Sequence, residues 1–170
     1  GSITGVGLRL LSTGSDGSFD LDEAGTTNDV TTIAASTAGW IAYRDESGLE
    51  VGTVTTSGIT TSDDDVTLCA DSLTLTQDIS AGGGTVRLRA RAGDASQTGG
   101  AITALSLGVV ATGDISLPST TNDVETLAAD AGGSVAYRDV DGFTIGTVTA
   151  FGCFPGVTGV SGTDVELCTA

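Results

Sequence analysis

Apolar and polar side chains alternate over short stretches along most of this chain. In each stretch the apolar residues fall at positions i and i+2, the spacing of a β-strand with one buried face. Glycine, asparagine, aspartate, serine and threonine separate the stretches and supply turns. No segment keeps a helical spacing long enough for an ordinary helix. The pattern predicts an all-β fold, with strands at 6–10, 18–21, 40–43, 49–51, 65–68, 73–75, 85–90, 101–107, 114–117, 134–137, 143–145 and 164–167.

A long internal repeat organises these strands. The tripeptide Tyr-Arg-Asp occurs at 43–45 and again at 137–139. The windows 39–55 and 133–149 around it share ten identities in seventeen positions, and several of the differences exchange one apolar residue for another. Because the apolar neighbours recur at strand spacing, we interpret the duplication as a structural repeat and not as a duplicated active site.

The repeat predicts one continuous domain over 1–170. Its two copies cover 3–69 and 102–168, and a spacer at 70–101 separates them. The chain begins and ends within this pattern, so we expect it to be a piece of a longer polypeptide. The motif Thr-Thr-Asn-Asp-Val, which recurs with the repeat, predicts a turn in which Asn28 and Asn122 tolerate left-handed backbone angles.

Two all-β architectures fit this organisation. A sandwich joins its strands by hairpins around a core that is usually rich in aromatic residues. A β-solenoid stacks coils of roughly twenty residues around ladders of small aliphatic side chains. Aromatic residues make up only 4% of the chain, and strong two-residue hairpin signals are absent from the sequence. The sequence therefore favours a parallel β-solenoid of about eight coils.

Composition narrows the functional classes. The net charge is −16 and all six basic residues are arginine, so the surface repels nucleic-acid phosphates and anionic membranes. No apolar stretch is long enough for a membrane-spanning helix, and no signal peptide is recognisable.

The chain lacks histidine, which excludes Ser-His-Asp and Cys-His catalysis. A paired-carboxylate sugar hydrolase would need aromatic subsites, and Trp40 is the only tryptophan. We expect no enzymatic activity.

Several motifs resemble the repeats of large bacterial surface proteins of the filamentous-haemagglutinin type. They are "GDISL" at 113–117, the segment that runs from "DVTLC" at 65–69 to "AITA" at 101–104, and "GSVAYRDVDGFTIGTVTA" at 133–150. The resemblance implies a right-handed parallel β-helix, secretion to the cell surface or medium, and a role as fibre, stalk or adhesin. It carries no catalytic motif. The chain departs from the family in its three cysteines, which are usually scarce in such fibres.

The cysteines predict a disulfide framework with one cysteine left over. Cys69 and Cys168 are repeat equivalents, whereas Cys153 opens a stretch that only the second copy contains. We predict a Cys153–Cys168 bridge, and an intermolecular or free thiol at Cys69. The alternative is that all three are small reduced apolar side chains. With neither a CxxC motif nor a histidine, a zinc site is not expected.

Charged clusters offer two further candidates. Asp63–Asp65 and the group Asp16, Asp20, Asp22 and Glu23 carry carboxylates that calcium could use, but turn chemistry explains them more simply and the calcium-binding nonapeptide is absent from the sequence. We therefore expect no cofactor, with calcium as a weak alternative.

Arginines on one strand face are the second candidate. Arg87, Arg89 and Arg91 alternate along a predicted strand, so they could bind an acidic glycan or pair with carboxylates on neighbouring coils, which we favour. We also expect each arginine of the Tyr-Arg-Asp motifs to pair with the adjacent aspartate.

These observations favour a secreted, extracellular or cell-surface, non-enzymatic solenoid whose open strand edges pair with a second copy, head to tail, to form a filament or stalk. The alternative is an adhesin segment that binds glycan or a host protein through Arg87, Arg89, Arg91 and Trp40.

Overall fold

The computed structural model describes residues 1–14 and 17–169, which form strands and no helix. Within these described residues, no helix is long and apolar enough to cross a membrane. The strands are β1 (Thr4–Leu11), β2 (Phe19–Leu21), β3 (Asp29–Ser36), β4 (Ile41–Arg44), β5 (Gly48–Val51), β6 (Thr53–Val54), β7 (Thr56–Ser57), β8 (Ile59–Thr60), β9 (Val66–Ala70), β10 (Ser72–Leu75), β11 (Ile79–Ala90), β12 (Ala95–Gln97), β13 (Ile102–Ala111), β14 (Ile115–Leu117), β15 (Asp123–Ala131), β16 (Val135–Asp139), β17 (Thr144–Ile145), β18 (Thr147–Val148), β19 (Val157–Thr158), β20 (Val160–Ser161) and β21 (Val165–Thr169).

Seventeen of these strands form one continuous parallel sheet that winds around the core in columns. The first column runs through β1, β3, β8 and the first halves of β11, β13 and β15. The second runs through β2, β4, β9, the second halves of β11, β13 and β15, and then β17 and β20. The third runs through β5, β10, β12, β14, β16 and β21. The predicted parallel β-solenoid is confirmed.

Ladders of aliphatic side chains fill the interior, because each column brings equivalent inward positions into register. In the second column, Phe19, Ile41, Val66, Val86, Leu107, Leu127 and Ile145 lie on successive strands. From Ile41 to Leu127 these side chains are at most 1% exposed. Branched side chains suit such a pleated, buried surface, and so the core needs few aromatic residues.

The solenoid has about six turns, fewer than the eight predicted. Part of the chain leaves the coil path in two antiparallel hairpins, β6–β7 and β18–β19. The long strands β3 and β15 are part of the stacked columns, but neither was among the predicted strands. Each begins at the aspartate of the recurrent Asn-Asp-Val, a motif that predicts a turn and so hides the strand.

Glycines form the corner inside β11. The glycine-rich stretch at 81–84 forms a bend within the strand, where the register to β13 shifts on both sides of Gly82. Gly82 has φ +53° and a Cβ there would lie 2.0 Å from an oxygen of Asp63. The corner therefore requires glycine at position 82, both for the positive φ and for the close approach of Asp63.

Candidate functional site

The duplicated Tyr-Arg-Asp motifs form buried corner braces. The Tyr43 hydroxyl donates to Asp45 Oδ2 at 2.8 Å, and Tyr137 donates to Asp139 in the same way at 2.7 Å. Both aspartates are 0% exposed and also accept backbone N–H groups, from Val30 and Val124 respectively. Since the tyrosine and aspartate side chains of both motifs bond within their own fold, the repeat is structural, as the sequence indicates.

The ionisation of these braces follows from burial. Burial and the bond to the neighbouring aspartate raise the pKa of Tyr43 and of Tyr137, so both stay neutral donors. Burial alone would raise the pKa of Asp139, but the hydrogen bonds from Tyr137 and from three backbone N–H groups outweigh it and lower that pKa. The expected pairing of Arg44 with Asp45 is wrong. The Asp45 carboxylate bonds to Tyr43 and to the backbone, and the Arg44 Nε lies 3.8 Å from Glu46 Oε1 instead.

Buried asparagines complete each corner. The Asn28 side chain accepts from the N–H of Ile3 and donates to the carbonyls of Leu21 and Arg44. Asn122 makes the corresponding bonds and pairs with the amide of Gln97. Neither asparagine has a positive φ, so their predicted left-handed conformation is wrong. Their side chains instead satisfy buried backbone groups where the coils turn.

A long arm covers one flank of the solenoid. We define the arm as residues 147–158, comprising β18, β19 and the loop between them. It begins at the last turn and folds back over the second column. Val148 and Phe154 pack on Ala128 of β15, and they leave so little space over β13 that a Cβ on Gly108 would lie 2.7 Å from Val148.

The far end of the arm reaches the first turns. Phe151 packs edge to face on Trp40, with the ring centroids 5.6 Å apart. The backbone N–H of Cys153 donates to Asp22 at 2.8 Å, just beyond β2. Burial and the neighbouring Asp20 raise the pKa of Asp22, although the N–H of Cys153 opposes this. The arm therefore connects the last turn of the solenoid to the first.

The predicted Cys153–Cys168 bridge is wrong, because the structure joins Cys69 to Cys153. Cys69 lies on β9, in the column that the arm covers, and it is fully buried there. Cys168 lies on β21 in the third column and remains a free thiol in the described part of the chain. The assignment of the unpaired thiol to Cys69 is consequently also wrong. The sequence predicted a loop closed locally, whereas the arm folds back across several turns.

The arginine row holds the arm in place. Arg87 is 6% exposed, pairs with Asp65 at 2.7 Å, and lies 5.4 Å from the ring centroid of Phe151. Arg89 donates to the carbonyl of Cys153 at 2.7 Å. Arg91 pairs with Asp71 at 3.1 Å. The favoured pairing with carboxylates on neighbouring coils is thus confirmed for Arg87 and Arg91. The first two arginines face the arm, not a free binding surface, and Trp40 is half-buried against it.

The acidic tripeptide Asp63–Asp65 accepts hydrogen bonds from the next coil. Asp63 accepts the N–H of Gly83, and Asp65 accepts the N–H of Thr85 and the Arg87 guanidinium. These bonds match the interpretation as turn chemistry. In the second cluster, Asp16 lies outside the described residues. Across residues 1–14 and 17–169, no three acidic or cysteine side chains are grouped as metal ligands.

The last turn exposes side chains that face the core. Ile145 is 52% and Val165 42% exposed, although their neighbours in the ladders, Leu127 and Val135, are each 1% exposed. The first copy of the repeat shows what covers these positions: Val51 and Val66, the equivalents of Ile145 and Val165, are 0% exposed. There, Leu75 of β10 and Val86 of β11 lie over them in the next coil.

The first turn is uncovered in the same way. Ile3, Leu8, Phe19 and Leu21 pack on the core from one side only and remain partly exposed. No other described strand pairs with the outer edge of β1 or β2. Both end faces therefore present open strand edges beside apolar rows.

No protein-family model, curated protein or solved structure matches the chain.

Proposed function

We propose that this chain is a non-enzymatic structural subunit of an extracellular β-solenoid filament or stalk, in which a further coil from a second copy covers each end face. One observation carries the proposal: Ile145 and Val165 are half-exposed, while their repeat equivalents are fully covered by the next coil. An uncovered apolar row beside unpaired N–H and C=O groups favours the addition of another strand.

The resemblance to filamentous-haemagglutinin-type repeats supports the proposed role and secretion. The Cys69–Cys153 disulfide is a second, independent support, because disulfides persist in oxidising compartments such as the extracellular space. The net charge of −16 disfavours nucleic acid and anionic membrane as partners and leaves a second copy as the proposed one.

Negative-stain electron microscopy of the purified protein, with and without reductant, tests the proposal. We expect filaments in both conditions, because apolar rows and strand edges form the contact, and Cys168 on β21 has no cysteine on β1 or β2 of a second copy to pair with. Ile145→Asp should abolish them, since it places a charge in the apolar row. The matched control is Leu105→Asp, which adds the same charge at a side chain that is 44% exposed on β13, away from the ends. Dispersed short rods in every condition would contradict the proposal.

The alternative is an adhesin segment. One observation favours it: an open groove of about 400 Å³ is lined in part by the hydroxyl and carboxylate groups of Asp78, Thr98, Ser119 and Thr121. Such groups suit hydrogen bonding to a sugar. A glycan-binding screen of the wild type against Thr98→Val tests this alternative, which requires a hit that the variant loses.

A further inference from the structure

We infer that successive copies stack in one defined register, in which β1 of one copy pairs with β17 and β20 of the preceding copy, and β2 pairs with β21. This inference rests on the proposed function and specifies the interface that the proposed function leaves open. The chain already pairs one long strand with two short strands twice within itself.

The lengths of the strands match. The long strand β3 pairs with two short strands, through Ile33 to Val51 of β5 and through Ala35 to Ile59 of β8. The long strand β15 repeats this pattern with β17 and β20. A continuous strand therefore fits along the edge of a split one. β1 is continuous and pairs in register with β3, so it has the geometry to lie on the free edge of β17 and β20.

The side chains also match. In the first copy, Leu75, Ile79, Val86 and Leu88 of β10 and β11 cover Val51, Ile59, Val66 and Leu68. In the inferred interface, Leu8, Leu10, Phe19 and Leu21 of one copy cover Ile145, Val160, Val165 and Leu167 of the preceding copy. Both covering sets are apolar. Phe19 and Leu21 have the i, i+2 spacing of Val86 and Leu88, and Leu8 and Leu10 have the spacing with which Ile33 and Ala35 of β3 pair with Val51 and Ile59. The core ladders therefore continue from one copy to the next.

The two ends are related by a rotation about the solenoid axis. β1 begins the first column of its own copy, whereas β17 and β20 end the second column. A second copy that pairs its β1 with β17 and β20 must therefore be rotated about the solenoid axis by one of the three columns. Contacts of this kind join different surfaces of each copy and advance along the axis, so they generate an open filament and not a closed ring.

The inferred register also brings two like charges together. Asp20 follows Phe19, and Glu166 follows Val165, so the outward carboxylates of these residues lie opposite each other between copies. Like charges directly opposite on neighbouring strands disfavour pairing. Glu166→Lys should replace this repulsion by attraction and lower the protein concentration needed for assembly several-fold at low salt. The same substitution at Glu125, an exposed acidic position on the flank, is the matched control.

Engineered cysteines test the register directly. Leu11 lies opposite Ser36, and Ser161 lies opposite Asp130, so these two outward positions meet between copies in the inferred pairing. With Cys168→Ser as the background, the pair Leu11→Cys and Ser161→Cys should give a ladder of disulfide-linked multimers on a non-reducing gel. The control pair Arg9→Cys and Ser161→Cys lies on the same face two residues out of register, about 8 Å apart, which is too far for a disulfide.

The outcomes separate the register from the proposed function. Cross-linking of the Leu11 pair and not of the Arg9 pair supports the register. Filaments in the microscope with cross-linking of the control pair, or of neither pair, overturn the register and leave the proposed function standing. If neither filaments nor cross-links form, both ideas fail.

Discussion

Removing the disulfide that fastens the arm should cost this protein a large part of its stability. The perturbation is Cys153→Ser, which leaves Cys69 buried under the arm as a thiol. The Cys69–Cys153 bridge closes a loop with a sequence separation of 84 residues. In the chain-entropy model such a loop contributes about 4.5 kcal/mol to the free energy of unfolding. For a chain of this length, that corresponds to a fall in melting temperature of roughly 9–18 °C.

The only tryptophan provides the assay. Trp40 packs against Phe151 of the arm, so its fluorescence reports whether the arm is docked. Thermal unfolding followed by Trp40 fluorescence and by far-ultraviolet circular dichroism compares the wild type, Cys153→Ser and the control Cys168→Ser. We expect only Cys153→Ser to have a lowered melting temperature. In that variant the Trp40 fluorescence should change at a lower temperature than the circular dichroism.

Several contacts between the arm and the solenoid do not depend on the disulfide. Arg87 and Arg89 still bond to the arm in Cys153→Ser, and Phe154 still packs on Ala128. These contacts keep the arm near its place but do not constrain the unfolded chain. Equal melting temperatures for the wild type and Cys153→Ser, or an equal loss in Cys168→Ser, would refute the reasoning that the bridge stabilises by closing a long loop.

Three further predictions concern packing and the corner braces. Gly108→Ala should destabilise the protein by about 1–3 kcal/mol in urea unfolding, because its Cβ would overlap Val148, whereas Gly5→Ala, with open space around it, should change little. Tyr137→Phe should cost about 1.5–3 kcal/mol in the same assay, because it removes a hydrogen bond to a buried carboxylate; a loss below 0.5 kcal/mol would argue against the brace. Because the pKa of Asp139 is lowered by folding, its contribution is complete above the ordinary aspartate pKa of about 3.9 and is lost as the pH falls through the lower folded value. Melting temperatures measured from pH 6 to pH 2 should therefore fall less steeply in Asp139→Asn than in the wild type.

The sequence by itself determined the fold class and the repeat. Alternation at i and i+2 predicted most of the strands, because a pleated strand with one buried face imposes that spacing on its side chains. The low aromatic content and the long repeat indicated stacked coils. The same local logic missed β3 and β15. Each begins at the Asn-Asp of a motif typical of turns, and nothing local showed that the asparagine side chain is buried at a corner.

Only the tertiary structure decided which distant groups meet. The sequence marked Cys153 as part of an insertion, and sequence distance then suggested Cys168 as its partner. The choice of Cys69 depended on the arm folding back over the second column, where Gly108 leaves space for it and Arg87 and Arg89 bind it. Alternation in a strand specifies which side chains face outward, but not which of them another segment will cover. Three-dimensional winding places residues 84 positions apart in contact, and no local pattern encodes that distance.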